Sequence, residues 1–352
     1  MNTQISINNI KRSRLESIDF NNLEFGKNIT DHMFSMDHIN GVWLNARITP
    51  FSNLSISPAS LGLHYGQTAF EGMKAFKMID GNISIFRIDK HYKRFSRTLE
   101  RMCMPVPPFE FFTEGLKALV NIDRKWVPLD EGASLYIRPF MFATEERFGV
   151  NISNEYKFII FSGPVKKYYE NPLRVKIEEN FMRAGKGGTG FAKCGGNYGG
   201  SFYPAQLAKE KGFDQVLWTD CSQDLNIEES GTMNIIFVID NVVVTPALSD
   251  SILDGVTRDS FLTLAKDLGY KTEERKVSQA ELIKACKESK LNEAFGSGTA
   301  AVASQIKVIN MNGADQILPD LSDNSFMVKA KKLLSEIRTG IVPDKYNWNT
   351  IV

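Results

Sequence analysis

The sequence predicts a two-domain α/β protein, mixed α+β in detail, and three features carry that expectation. Its 352 residues exceed what a single core usually serves, and with 43% of them hydrophobic a sizeable core is assured. From Val42 onward, short apolar runs of strand character alternate with stretches of helical periodicity. Between Pro164 and Pro172, the run VKKYYENP breaks the alternation and reads as a linker. The expected division is a smaller N-terminal domain over 1–165, a linker over 166–175 and a larger C-terminal domain over 176–352.

Charge and composition narrow the class of partner. Forty-two basic residues against 41 acidic ones leave a net charge of +1, which gives no electrostatic reason to expect nucleic acid or an anionic membrane. No apolar run approaches the ~18 residues of a membrane span, so no membrane partner is expected. The N-terminal MNTQISINNIKRSRLESIDF has no apolar signal core and reads as a polar lead-in. Cys103, Cys194, Cys221 and Cys286 are widely spaced, with no C-x-x-C pair and no histidine at zinc spacing. No metal is expected, a reducing cytoplasmic setting fits best, and the partner is a small molecule or another protein.

Taken in order, Asp80-Gly81 between FKMI and ISIF signals a two-residue hairpin. A helix follows through HYKRFSRTLERM, with Asp89 as its N-cap. Phe95, Leu99 and Met102 form its apolar stripe, and Lys90, Lys93, Arg94, Arg97 and Arg101 read as a solvated face. SLYIRPFMFA and YKFIIFSGPV read as buried strands, and LRVKIEE as the first strand beyond the linker. Further on come a helix around YPAQLAKEKG, strand QVLWTD, and the hairpin NIIFVIDNVVVTP turning at Asp240-Asn241. Helices are expected at TRDSFLTLAKDLG, QAELIKACKES and SFMVKAKKLLSEIR.

One stretch resists regular structure. Eight of the sixteen residues from Gly185 to Gly200 are glycine, and they surround a single amine, Lys193, in FAKCGGNYGG. A phosphate loop requires Lys-Ser/Thr after Gly190, where Phe191 and Ala192 stand. A dinucleotide fingerprint fits only in part. A Schiff-base lysine needs small neighbours so that its amine can approach a flat cofactor, together with a carboxylate, a hydroxyl and an anion cradle. Glu228 and Glu229 in NIEESGTMN, the Gly255-Val256-Thr257 helix start and the FGSGTAA turn at 295–301 are candidates for these parts. Each has an ordinary structural reading as well: an exposed turn carboxylate, an N-cap by Thr257, a tight loop.

Together, KCGGNYG, EESGTMN, GVTR at 255–258 and FGSGTAA resemble the signature blocks of the branched-chain amino acid aminotransferases, class IV enzymes of the D-alanine aminotransferase-like fold. GLHYGQTAFEGMKAF at 62–76 and LYIRPF at 135–140 extend the resemblance. It implies a homodimer of two-domain fold type IV subunits with pyridoxal 5'-phosphate between the domains. Lys193 would form the internal aldimine, Tyr198 would bond the ring oxygen, and Glu229 would pair with the ring nitrogen. Arg87, Val256, Thr257 and Thr299 would hold the phosphate. Thr299 and Ala300 would meet the substrate carboxylate, and Tyr65, Phe70, Tyr136 and Arg138 would line the side-chain pocket. The implied reaction exchanges the amino group of leucine, isoleucine or valine with 2-oxoglutarate, giving branched 2-oxo acids and L-glutamate.

The chain departs from the family pattern in two places. Ala301 and Ser304 stand where animal members carry a redox-active C-x-x-C, and Asp254 stands where many relatives have proline. A D-amino acid aminotransferase or an aminodeoxychorismate lyase would share Lys193 and Glu229, though not Tyr136-Ile137-Arg138 with GLHYG. A protein that binds a phosphate ligand without chemistry is the alternative from another class.

Overall fold

The computed structural model describes residues 4–166 and 171–352. The chain divides into one unit of Met1–Tyr168, Ala192–Gly196 and Ile337–Val352, and a second of Tyr169–Phe191 and Asn197–Glu336. Two segments thus cross the expected division. The short piece with Lys193 and the C-terminal residues both group with the first unit, because strand pairing, not sequence position, decides where they pack. Residues 167–170 of the expected linker lie outside the described residues, and the next strand starts at Leu173, inside the 166–175 stretch.

The first unit runs β1 (Ser6–Ile7), β2 (His32–Ile39), β3 (Val42–Pro50), α1 (Leu61–Tyr65), β4 (Thr68–Phe70), β5 (Met73–Lys77), β6 (Ile83–Phe86), α2 (Ile88–Arg101), α3 (Phe109–Ile122), β7 (Ser134–Ala143) and β8 (Glu155–Val165). The second runs β9 (Leu173–Ile177), α4 (Gly196–Gly199), α5 (Phe202–Glu210), β10 (Gln215–Thr219), β11 (Ile227–Ser230), β12 (Met233–Ile239) and β13 (Val242–Thr245). It continues with α6 (Val256–Asp267), β14 (Thr272–Glu274), α7 (Gln279–Lys287), β15 (Leu291–Gly298), β16 (Val302–Met311), β17 (Ala314–Ile317) and α8 (Phe326–Thr339), and β18 (Asn349–Ile351) returns to the first unit.

In the first unit the sheet order is β1-β3-β2-β8-β7-β5-β6-β18, with β4 also on β7. β4 pairs with Phe140–Phe142 and β5 with Leu135–Ile137, so β7 serves both and the break between them falls at Glu71-Gly72. Pro139 explains the break. The Glu71 N–H donates to the Pro139 carbonyl at 2.8 Å, but Pro139 has no N–H to return to that side. In the second unit β11-β10-β9-β16-β15-β12 closes on itself through the β11–β12 pairing, a six-stranded ring that leaves those strands without a free edge.

Local chemistry agrees with the sequence in most turns and corrects it in three places. Asp240 and Asn241 take φ of 49° and 62°, the left-handed pair that a two-residue hairpin requires. Asp80-Gly81 does not make such a turn. Met78 and Asn82 pair around three residues, with Gly81 left-handed at φ 88°, the usual geometry of a longer hairpin loop. Helix α2 is capped by Arg87, not Asp89, which lies in its first turn. The glycine-rich stretch also holds one helical turn, α4.

The face of α2 facing the first core carries Ile88, Phe95 and Leu99, each buried, and burial of a side chain of this size contributes about 1.5–3 kcal/mol. Its charged residues are not one solvated face. Lys93, Arg97 and Arg101 are exposed, but Arg94 is buried.

Candidate active site

In the first unit, Lys193 is held by its backbone. Its carbonyl accepts from Phe70 N–H at 3.0 Å, and its N–H donates to Thr98 Oγ1 at 3.0 Å. Cys194 bridges Ala69, and Gly195 N–H donates to Thr68 O, so the lysine segment lies along β4. Its amine stands 4.9 Å from the centre of the Phe70 ring. Arg138 reaches the same ring, at 4.6 Å, and donates to the Tyr136 hydroxyl at 3.1 Å. One aromatic ring therefore receives two cations.

Tyr136 and Arg138 project from β7 into a cavity of about 200 Å³ that Phe25, Asn28 and Phe161 also line. Phe25 meets Tyr136 edge-to-face with centroids 5.0 Å apart. Tyr65 does not line this cavity. It is exposed at the end of α1, and its hydroxyl accepts from Gly149 N–H at 3.1 Å.

Arg87 takes the left-handed conformation at φ 53°, uncommon for a residue with a side chain. Its N–H donates to Trp348 O at 2.6 Å and its guanidinium lies 4.8 Å over the Trp348 ring, so the C-terminal segment fixes it. Arg338 is buried, 4.2 Å from the Phe86 ring, and its Nε has no hydrogen-bond partner among the described residues. Burial, with the charge of Arg87, brings the Arg338 pKa down to about 9. A buried cation so placed favours a nearby anion.

In the second unit the two glutamates of β11 separate. Glu228 accepts from Ser251 Oγ, and burial pushes its carboxyl up. Glu229 is 3% exposed, lies 2.8 Å from Arg183 Nε, and accepts from Asn234 Nδ2 at 2.9 Å and Leu253 N–H at 3.0 Å. It lines a cavity of about 20 Å³ with Tyr198, Arg183, Asn197 and Thr232. The exposed-turn reading of Glu229 is thereby excluded.

Val256 and Thr257 are the buried first residues of α6, where N–H groups have no carbonyl of their own helix to bond. The helix is capped by Gly255, not by Thr257. A methyl on Gly255 would stand 1.8 Å from Asn234 Oδ1, so the turn packs directly on the amide that holds Glu229. Thr299 and Ala300 form the half-buried turn from β15 to β16.

The sequence does not reveal Phe25, Phe161, Arg183 or Asn234. Phe25 lies in a segment without periodicity, and Phe161 looks like any strand residue. Arg183 precedes the glycine run, and the one available signal for it is that a buried glutamate needs a cation.

The match to known proteins covers most of the chain. Residues 68–309 match the model of the amino-transferase class IV family. A probable branched-chain-amino-acid aminotransferase of Staphylococcus epidermidis is 43% identical over 347 residues, 97% of each chain. Branched-chain-amino-acid aminotransferase 2 of Bacillus subtilis is 44% identical, covering 95% of this chain and 93% of its own. Among solved structures, a T.th. branched-chain amino acid aminotransferase complexed with N-(5'-phosphopyridoxyl)-L-glutamate superposes with a TM-score of 0.73 at 26% identity, over 90% of this chain and 97% of that one.

A fold with these matches defines an enzyme that transfers amino groups. The chain belongs to the class IV aminotransferases, in the branch of the branched-chain-amino-acid aminotransferases. The reading as a phosphate-ligand protein without chemistry is set aside.

Proposed function

We propose that the chain exchanges the amino group of leucine, isoleucine and valine with 2-oxoglutarate, by ping-pong chemistry, giving branched 2-oxo acids and L-glutamate. The cofactor is pyridoxal 5'-phosphate, in keeping with family membership and with the phosphopyridoxyl group of the T.th. complex. The residues fit it. The first unit offers the amine of Lys193, the half-buried cation of Arg87 and the buried cation of Arg338, and the second offers the buried carboxylate of Glu229 beside Tyr198.

When bound, the cofactor supplies an electron sink for the charge left on breaking a Cα–H bond. Lys193 Nζ would hold it and would serve as the base that takes the α-proton. Glu229, ion-paired with Arg183, would pair with the ring nitrogen, and Tyr198, which lines the same cavity, would bond the ring oxygen. The residues that would hold the phosphate are Arg87, Thr299 and the N–H groups of Val256 and Thr257, and Thr299 and Ala300 would orient the substrate carboxylate.

The observation that carries the specificity is the pair Tyr136-Arg138 against Phe70. Aromatic walls pack on a branched aliphatic chain, while a guanidinium resting on a ring and a hydroxyl accepts the γ-carboxylate of glutamate. The glutamate moiety in the T.th. complex supports this half of the reaction.

A homodimer in the cytoplasm completes the reading. Leu63, Phe148, Val150 and Ile152 are exposed near Tyr65, an apolar surface suited to a second copy. Amino transfer from glutamate to a panel of branched, aromatic and D-series partners tests the proposal. Turnover of the branched L-series is expected, and turnover of D-alanine in its place would contradict it.

A further inference from the structure

Four polar positions of α2 and its cap recur at helical spacing, the outer two at candidate site residues and the inner two on one buried acid. Arg87 caps the helix, and its carbonyl accepts from His91 N–H at 3.1 Å. His91 and Arg94 reach Glu71, and Thr98 accepts from the backbone of Lys193. These positions lie on one side of a helix of 3.6 residues per turn. The rod therefore has the arginine at one end, the lysine segment at the other and one acid between them.

That acid is fully enclosed. Glu71 is 0% exposed and takes two bonds from Arg94, at 2.6 Å from Nε and 2.7 Å from Nη2, one from His91 at 2.9 Å and one from Gly72 N–H at 3.0 Å. A bidentate pair with this many donors fixes both partners in position and direction. Glu71 also sits at the β4–β5 break, next to Phe70, whose N–H holds the Lys193 carbonyl. A shift of the helix along its axis would break these bonds and carry Arg87 and Thr98 with it.

We propose that Glu71 is a positioning residue for the reaction: by clamping α2 to β4 through Arg94 and His91 it sets the spacing between Arg87 and Lys193. This rests on the roles given above to those two residues. It adds that their separation is set by an acid that touches neither cofactor nor substrate.

The test uses the cofactor-loaded protein and two variants, Glu71→Gln and Thr98→Val. The readouts are the pyridoxal phosphate dissociation constant and the pH midpoint of the visible absorption of the bound cofactor. In Glu71→Gln the constant is expected to rise about tenfold or more, and the midpoint to move by about half a unit or more. Thr98→Val, which touches the lysine segment alone, is expected to move the midpoint and leave the constant near the parent value. A folded Glu71→Gln protein with a lower melting temperature but both readouts at parent values would overturn the proposal. If Glu71→Gln does not fold, an unmoved midpoint in Thr98→Val overturns it. A parent protein with no visible absorption would instead overturn the functional reading, and this one with it.

Discussion

Gly72 and Tyr136 compete for the same space: a methyl on Gly72 would lie 2.1 Å from the Tyr136 hydroxyl oxygen. The glycine thus lets β7 present this tyrosine, and with it Arg138, to the cavity. Gly72→Ala is expected to displace the Tyr136 ring and lower stability by about 1–3 kcal/mol, the usual cost of overpacking. Gly72→Ala with Tyr136→Phe removes the clashing oxygen and should recover part of the loss. Melting temperatures check this, and an unperturbed Gly72→Ala protein would contradict it.

On the proposed reading, Arg138 serves one half-reaction more than the other. A hydrogen bond to a charged group contributes about 1.5–3 kcal/mol, so Arg138→Ala should cut kcat/KM for glutamate about 10- to 100-fold. Leucine, which needs only the aromatic walls, should lose much less. Equal losses on both amino acids would show that the guanidinium does not discriminate between them.

Arg183 is the cation beside Glu229. Removing one partner of a buried pair leaves the other uncompensated, at a cost of about 3–5 kcal/mol. Arg183→Met is therefore expected to destabilise the protein by about that amount and, on the proposed role of Glu229 at the ring nitrogen, to lower kcat. Urea unfolding and single-turnover rates measure the two effects separately. Unchanged stability would remove Arg183 from the account.

Acid should weaken the fold in two stages. Burial foremost, with the charges of Arg94 and Arg87 against the pull of Glu71, lowers the pKa of His91 below 6.5 in the folded chain. Burial lowers that of His38 as well. The unfolded chain then binds these protons more tightly, so their contribution is whole above about pH 6.5 and declines below it. Glu71 behaves like an ordinary paired carboxylate: burial opposes its charge, but Arg94 and His91 outweigh burial and hold it well below the usual range. Its contribution is whole above about pH 4.3 and declines as the pH falls further. His91→Gln should flatten the first stage and spare the second. A urea midpoint constant from about pH 7 to pH 5 would contradict the assignment.

Much of this arrangement was legible in the sequence because it is local. The Asp240-Asn241 turn, the β7 and β8 strands, and the α6 start at Val256 follow from turn chemistry and periodicity within a few residues. What depended on distant partners was not legible. Arg94 looks like one more surface charge until Glu71, 23 residues away, is found beside it. Trp348 gives no hint that it underlies Arg87, since only the pairing of β18 with β6 brings it there. Asp89 is the better N-cap by residue type, yet the strained Arg87 takes that place because its N–H is tied to Trp348.

The central claim is that Lys193, alone among the lysines, carries the cofactor. The most direct measurement is to load the protein with pyridoxal 5'-phosphate, reduce it with borohydride and map the labelled peptide. A single adduct on Lys193, absent from Lys193→Ala, is the expected result. An adduct on any other lysine, or none in a yellow protein, would contradict the account.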